Sequence, residues 1–545
     1  MIGRKQMLSL LVAGALGIGA AVPATGVASP PSWPNLTSVP TANTRSDGYA
    51  PASKLSPELS QTVVAQGATQ LENPSPLTSY YGYDNDVLGL GGQPLMVPTP
   101  ASPATEAKKT EPDENTYLVF KHGLDGADPG YDYGTHFLFQ GHEGGAGGAG
   151  YITRINLDAD AAHRVTLMAT ADAGGHPLAT IDGSTWDPWA MRLLFTTENP
   201  GAPTYAATPG FPSAVVDVSG ALGRGGYEGI MDDSDGNIWI VEDVGGSSKP
   251  GTTAKRPNSF VYRYVPAHPG DLQHGKLQAL QALNAANEPI TFASQAALNS
   301  PDQLALHTYG KSFETRWVTI HDTAVDGTAP FSANELAKAA NATPFKRPEN
   351  GRFQPGSKFK TFFFDETGDT NATSPENATA GGWGSIMKLT QSGPSASTGK
   401  LTMFYRGDEA HAGIDNATFV SKDQIAFVED AGDTLHGQRN ALDSGYVWNV
   451  NSDYSNAANQ PVRWLAEGRD ASATLDAANG GFGANEGDNE ITGAIVSDGD
   501  TDTGGVLGAK LPDLSSDRWR WFYTQQHGDN RTYEVTVKNS HHSDD

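Results

Sequence analysis

From Tyr117 onward the apolar residues fall in short alternating runs, separated by turns rich in Gly, Asp and Asn. Tyr117–Phe120, His136–Phe139, Tyr151–Leu157 and Val165–Met168 are examples, and a period of two predicts β-strands. One strand type recurs: Met191–Glu198, Gly236–Asp243, Asp423–Asp430 and Arg520–His527 each end an apolar stretch in acids, amides or an imidazole. Each copy follows a turn-like segment such as Asp232–Gly236. Radial copies of such a strand bring their polar ends to one axis, which is the geometry of a β-propeller. Strands of ordinary length fill the interval from Tyr117 to Val537 about two dozen times, predicting roughly six four-stranded blades. A pair of packed β-sheets is the structural alternative.

The copies are unevenly spaced, so the blades carry insertions. Lys276–Asn287 has Leu and Ala at helical spacing, and Ser332-Ala-Asn-Glu335 resembles a capping box ahead of Leu336–Ala340. Between Ser29 and Asp113 the chain is rich in Pro, Ser, Thr and Ala and shows little sustained periodicity. The expected organisation is a signal peptide over 1–28, an extended or wrapping arm over 29–113 and an all-β propeller over 114–545.

Charge narrows the partners. Lys and Arg number 36 against 62 Asp and Glu, for a net charge of -26 in 545 residues. Such a surface repels phosphate backbones, which argues against nucleic acid. A small anionic substrate then needs an arginine or a bound cation to receive it. Arg4 and Lys5, the apolar run Met7–Val22 and the small residues Gly26-Val-Ala28 read as a signal peptide. The mature protein is therefore expected to be secreted or periplasmic, with no span after signal removal, and monomeric. The chain has no cysteine, so a disulfide framework or thiolate metal site is ruled out.

Several acids stand in Gly-bounded contexts, where backbone can approach a ligand closely: His142-Glu143-Gly, Tyr227-Glu228-Gly, and Asn485-Glu-Gly-Asp-Asn-Glu490-Ile-Thr-Gly493. Taken singly, each is also compatible with a solvated turn or strand end. Converging Glu, Asp, Asn and Gln oxygens suit calcium better than zinc. Arg347-Pro-Glu349 holds a cation and an anion two residues apart; it serves either as a surface ion pair or as a phosphate fork beside a metal ligand. His527 is open as ligand, acid or satisfied channel histidine. Asp232-Asp-Ser-Asp-Gly-Asn237 lacks the closing Glu of a calcium loop and reads as a hairpin turn, whereas Asp498-Gly-Asp-Thr-Asp502 is open between cation loop and solvated turn. Gly-x-Ser-x-Gly, the P-loop pattern and His-Glu-x-x-His are all missing, so serine hydrolase, P-loop and zincin readings have no support.

The motifs resemble, in order, those of the PhoX-type alkaline phosphatase family over roughly His136 to Asp529. Gly141-His-Glu143 resembles its Asn-His-Glu. Asp187-Pro-Trp through Thr196-Thr-Glu198 is similar to a segment in which Thr197 stands where the family has Cys. Tyr227-Glu228-Gly resembles His-Glu-Gly, and Val241-Glu242-Asp243 with Val261-Tyr-Arg263 a Gly-Asp-Asp and Tyr-Lys pair. Lys346-Arg347-Pro-Glu349, Ile414-Asp415-Asn416, Asn489-Glu490-Ile-Thr-Gly and Gln526-His527 are similar to the Arg-Pro-Glu, Pro-Asp-Asn, Glu-x-Thr-Gly and Gln-His motifs.

The resemblance implies a six-bladed propeller with a calcium and iron cluster hydrolysing phosphate monoesters, Arg347 binding the phosphoryl group and Glu228 and Glu349 ligating metal. Lacking the family cysteine, this chain is a divergent relative in which calcium is expected ahead of iron. Candidate catalytic residues are Arg347 and His527; candidate metal ligands are Glu143, Glu198, Glu228, Asp243, Glu349, Asp415, Asp430 and Glu490. The rival reading is a non-catalytic propeller stiffened by calcium that binds a partner or cell-surface ligand.

Overall fold

The computed structural model describes residues 35–45, 52–96, 107–144, 149–468, 490–526 and 530–538. The expected signal peptide and His527 lie outside the described residues. Short antiparallel meanders dominate, because alternating runs joined by tight turns pair with their sequence neighbours. One four-stranded sheet runs through Pro112–Val119, His136–His142, Tyr151–Asn156 and Val165–Ala169. A second runs through Ile181–Asp187, Arg192–Thr197, Tyr205–Ala207 and Val215–Asp217. A nine-stranded sheet contains two more meanders, Tyr227–Asp232 to Gly275–Ala282 and Gly351–Phe353 to Thr398–Arg406. The long strand Phe313–Asp322 joins them by pairing with one on each side.

The last two sheets recruit the N-terminal segment read as an arm. Lys54–Leu55 adds to Val462–Ala466 at the edge of the sheet that begins at Ile414–Phe419. Leu59–Ala65 pairs along Arg531–Val537 and supplies the fourth strand of the sheet opened by Ile491–Ser497. Pro112 and Asp113 already belong to the first meander.

The opening strands of the meanders touch in sequence. Pro112–Val119 contacts Ile181–Asp187, which contacts Tyr227–Asp232, and contacts continue through Gly351–Phe353, Ile414–Phe419 and Ile491–Ser497 back to Pro112–Val119. The result is an all-β, propeller-like arrangement of small sheets.

Its core lies between neighbouring sheets, where aromatic side chains fill the space. Trp239 sits 4.9 Å, ring centre to ring centre, from both Phe353 and Phe362 of the next meander. Trp464 and Trp521 likewise meet at 4.4 Å across a sheet boundary. Such pairs add ~0.5–1.5 kcal/mol beyond the area they bury.

Helices are few and short. Ala333–Ala339 forms where the capping box predicts, with the Ser332 hydroxyl accepting from the Glu335 amide. The helical expectation for Lys276–Asn287 is overturned: Gly275–Ala282 is a strand, paired on both sides. Leu277, Ala279, Leu280 and Ala282 are fully buried there, and two flanking ladders outweigh the helix preference of Leu and Ala.

Candidate metal centre

The site is built from the first few residues of the opening strands. Asp113, Asp182, Glu228 and Asp415 each occupy the second position of such a strand, Glu349 lies two residues before Gly351, and Glu490 immediately precedes Ile491. In five of these strands the pairing register shifts next to the acid, at Pro112/Asn115, Ile181 to Ser184, Tyr227/Ile230, Ile414/Ala417 and Thr492/Ile495. A bulge inserts an unpaired residue and re-aims side chains, so these strand starts point into the mouth instead of adding rungs to the ladder. Glycine makes room: a Cβ on Gly183 would lie 2.2 Å from the Glu228 carbonyl oxygen. Gly493, at φ 62°, would meet the Asn115 side chain at 2.4 Å.

The second strands supply another set from their far ends. Glu143, Glu198, Asp243 and Asp430 directly follow His136–His142, Arg192–Thr197, Ile238–Glu242 and Gln424–Glu429. In the other two meanders the same place is taken by Thr367 and Gln526, after Thr361–Glu366 and Arg520–Gln525.

These ends interlock. Asp113, Glu143 and Asp182 offer oxygens within 4.8 Å of one another, as do Asp182, Glu198 and Glu228, and Glu228, Asp243 and Glu349. Shared members link the three triads into one run of carboxylates. Gln526 donates from its amide to Asp113 at 2.8 Å and to Glu143 at 2.9 Å, and the Thr492 hydroxyl donates to Asp113 at 2.5 Å. The Thr367 hydroxyl donates to Glu349 at 2.5 Å.

Asp415, Asp430 and Glu490 join through their fields. Burial raises the Glu490 carboxyl well above its ordinary range, and Asp430, Asp415, Asp113 and Glu228 add to it. Burial, then neighbouring carboxylates, likewise raises Glu143, Asp182, Glu228, Glu349 and Asp415. Loss of water around its carboxyl raises Glu198 to about 7, with Asp243, Asp113 and Glu111 contributing. Glu198 is exposed on its outer flank, so solvent screens part of that shift.

A cation fits this donor set. Asp182 Oδ1 and Asp415 Oδ2 are buried without a hydrogen-bond partner, a costly arrangement for a carboxylate unless something of opposite charge meets it. The donors are all oxygen, which suits a hard cation.

Arg347 stands at the edge of this run with its backbone at φ 57°. Its Nη2 lies 2.8 Å from Asp243 and 3.3 Å from Glu349. Burial alone would lower its pKa, but Asp243 and Glu349 reverse that and hold the guanidinium charged. Lys255 is close enough to feel both Arg347 and Asp243; burial and then Arg347 lower its pKa. Beneath Arg347, Lys346 is fully buried between Asp369 at 2.7 Å and Glu376 at 2.6 Å.

Asp113, Asp182, Thr367 and Lys255 were not singled out in the sequence. Ile181-Asp182-Gly repeats the apolar-acid-Gly pattern of Tyr227-Glu228-Gly and was readable by that rule. Asp113 was masked by its position at the expected arm boundary. The Asp498–Asp502 loop, left open above, is held by the protein's own cation, with Lys510 Nζ 2.6 Å from both Asp498 and Asp500.

A family model described as alkaline phosphatase PhoX matches residues 251–504. The resemblance is to PhoX. Arg347, Glu349, Asp415, Asp430 and Glu490 fall inside the span matched to PhoX, and Glu143, Glu198, Glu228 and Asp243 precede it. Among solved structures, Pseudomonas fluorescens PhoX in complex with vanadate, a transition state analogue, aligns with a TM-score of 0.55 at 12% identity. That alignment covers 92% of this chain and 98% of the other, and it establishes a shared fold. A Niastella koreensis GH74 enzyme, at 11% identity, and the Pseudomonas aeruginosa periplasmic gluconolactonase PpgL, at 14%, each reach a TM-score of only 0.31. They cover 78% and 88% of this chain, and the alignments take in 45% and 100% of theirs. No curated protein matches the sequence.

Proposed function

We propose that this chain is an exported, calcium-dependent phosphomonoesterase on a six-bladed propeller. The observation that carries the reading is Arg347 set against three linked carboxylate triads. Support for six blades comes from the ring of six opening strands and from the acid that begins each one. The all-oxygen donor set and the absence of cysteine favour calcium over iron.

Bound calcium would supply positive charge that offsets the clustered carboxylates and stabilises charge building on a transferring phosphoryl group. Asp243 and Glu349 hold Nε and Nη2 of Arg347 and fix the guanidinium plane, which leaves Nη1 to meet a phosphoryl oxygen. Lys255 adds a second cation for the same anion. Thr367 and Gln526 hold Glu349, Asp113 and Glu143 in place by hydrogen bonds. The substrate is a small phosphorylated molecule. With a net charge of -26 the protein has no use for a polyanion, and no helix of the described residues is long and apolar enough to cross a membrane. From the sequence motif alone, His527 is proposed as a proton donor or acceptor, and the mature protein is proposed to be a monomer.

The test is turnover of a chromogenic phosphomonoester by purified protein in calcium and in EDTA. Hydrolysis that appears with calcium and vanishes with EDTA is expected. Bound calcium without turnover of any phosphate ester would replace the enzyme reading with the binding one.

A further inference from the structure

The opening strands also have far ends, and one of them holds a carboxylate that the mouth does not use. Asp232 is the last residue of Tyr227–Asp232, at the opposite end from Glu228. It is 2% exposed, and both of its side-chain oxygens are buried without a hydrogen-bond partner. Burial raises its carboxyl well above the ordinary range, with Asp187 and Asp233 adding to the effect. Those two neighbours are satisfied locally: Asp187 accepts from the Trp189 and Ala190 amides, and Asp233 from Asn237 and Trp239.

Asp232 borders a cavity of about 30 Å3 where several sheets meet. Thr116, Ser184, Thr185, Ser497 and Asp500 line it from three other segments; the Thr116 and Ser184 hydroxyls pair with each other at 2.8 Å, and the Ser497 hydroxyl oxygen accepts from the Gly499 amide. None of the lining side chains is cationic, and Asp500 is already held by Lys510. The space exceeds the ~10–15 Å3 that one water requires. A buried carboxylate with neither oxygen paired is among the least favourable arrangements a core can hold unless a cation or proton meets it.

We propose that this cavity is a second cation site, taking calcium or a similar hard cation, with Asp232 as its charged ligand and hydroxyl oxygens completing the shell. It is separate from the mouth and owes nothing to the Asp232–Asn237 segment acting as a calcium loop. In that turn Asp233, not Asp232, accepts the local amides. A cation here joins strands from separate sheets, so its role is to lock the far end of the channel.

The experiment compares the full chain with Asp232→Asn, an isosteric change that removes the charge. Calcium is counted per chain after gel filtration, and melting is followed in calcium and in EDTA. The variant is expected to hold one calcium fewer, to gain less in melting temperature from calcium, and to melt in EDTA at or above the parent. Repeating the count in Glu228→Gln, which perturbs only the mouth, is expected to leave the difference of one intact whether or not the mouth proves catalytic. An equal calcium count in parent and Asp232→Asn overturns the site, and so does an equal gain from calcium.

Discussion

Arg347 and Asp243 face each other as a fork and a carboxylate, with Nε at 2.9 and 3.1 Å from the two oxygens and Nη2 at 2.8 Å from Oδ2. They come from separate meanders, so the pair fixes a guanidinium plane that neither segment would hold by itself. Lysine keeps the charge but not the planar pair of donors. Arg347→Lys is therefore expected to lower kcat/KM for a phosphomonoester by ~10²–10³, with calcium content unchanged. If the arginine serves only to staple the two segments, the melting temperature falls and kcat/KM stays.

The crowded carboxylates give the metal-free protein a definite response to pH. Their folded pKa values are raised, Glu198 to about 7 and Glu228 and Glu349 well above the ordinary carboxylate range, so the folded state binds more protons than the unfolded one. Stability then falls as pH rises from the ordinary carboxylate range of ~4 through these raised values. In EDTA the melting temperature is expected to drop between pH 5 and pH 8. Calcium binds the ionised form and should flatten or reverse that slope, which thermal melts across the range would read directly.

Glu376 carries more weight than its distance from the mouth suggests. It accepts from Lys249 at 2.5 Å, from Lys346 at 2.6 Å and from Gln303 at 2.9 Å, all buried. The two ammonium groups hold its carboxyl below the ordinary range although burial opposes them. Glu376→Ala takes the carboxylate from Lys249 and leaves Lys346 with Asp369 alone, and is expected to cost ~3–5 kcal/mol. Because Lys346 precedes Arg347, the same change should also raise KM. Denaturant unfolding and steady-state kinetics on one preparation test both effects.

What could be read from the sequence tracks what is local. The four repeat copies are all second strands of their meanders, because an alternating run ending in polar residues is visible residue by residue. His136–His142 and Thr361–Glu366 occupy the same place and end in Gly-His and Asp-Glu, endings of the same polar kind, but were not singled out as copies. Glu143, Glu198, Glu228, Asp243 and Glu349 were named as candidates and stand in the triads. Asp113 and Asp182 stand in them too and were missed. Asp182 carries the same apolar-acid-Gly pattern as Glu228, whereas the signal for Asp113 is a bulge at the start of a strand, a property of pairing between strands. Gly275–Ala282 failed for a related reason, since its two ladders are made with segments that sequence periodicity cannot see.

The N-terminal segment makes the last prediction. The sheet of Ile491–Ser497, Arg520–Gln525 and Arg531–Val537 has its fourth strand only because Leu59–Ala65 pairs with Arg531–Val537. Leu59 and Ala65 are buried at the two ends of that pairing, and the Tyr523 hydroxyl donates to Gln61 at 2.6 Å. Chain ends that share a sheet close the circle of sheets, and losing one leaves an unpaired edge open to aggregation. A chain started after Ala65 should melt lower than the parent and self-associate on warming, by calorimetry and light scattering. Adding back the Leu59–Ala65 strand as a peptide should recover part of the loss, because the edge it fits is preformed by Arg531–Val537. Equal melting of the truncated and full chains would mean that this sheet is stable with three strands and that the pairing is incidental.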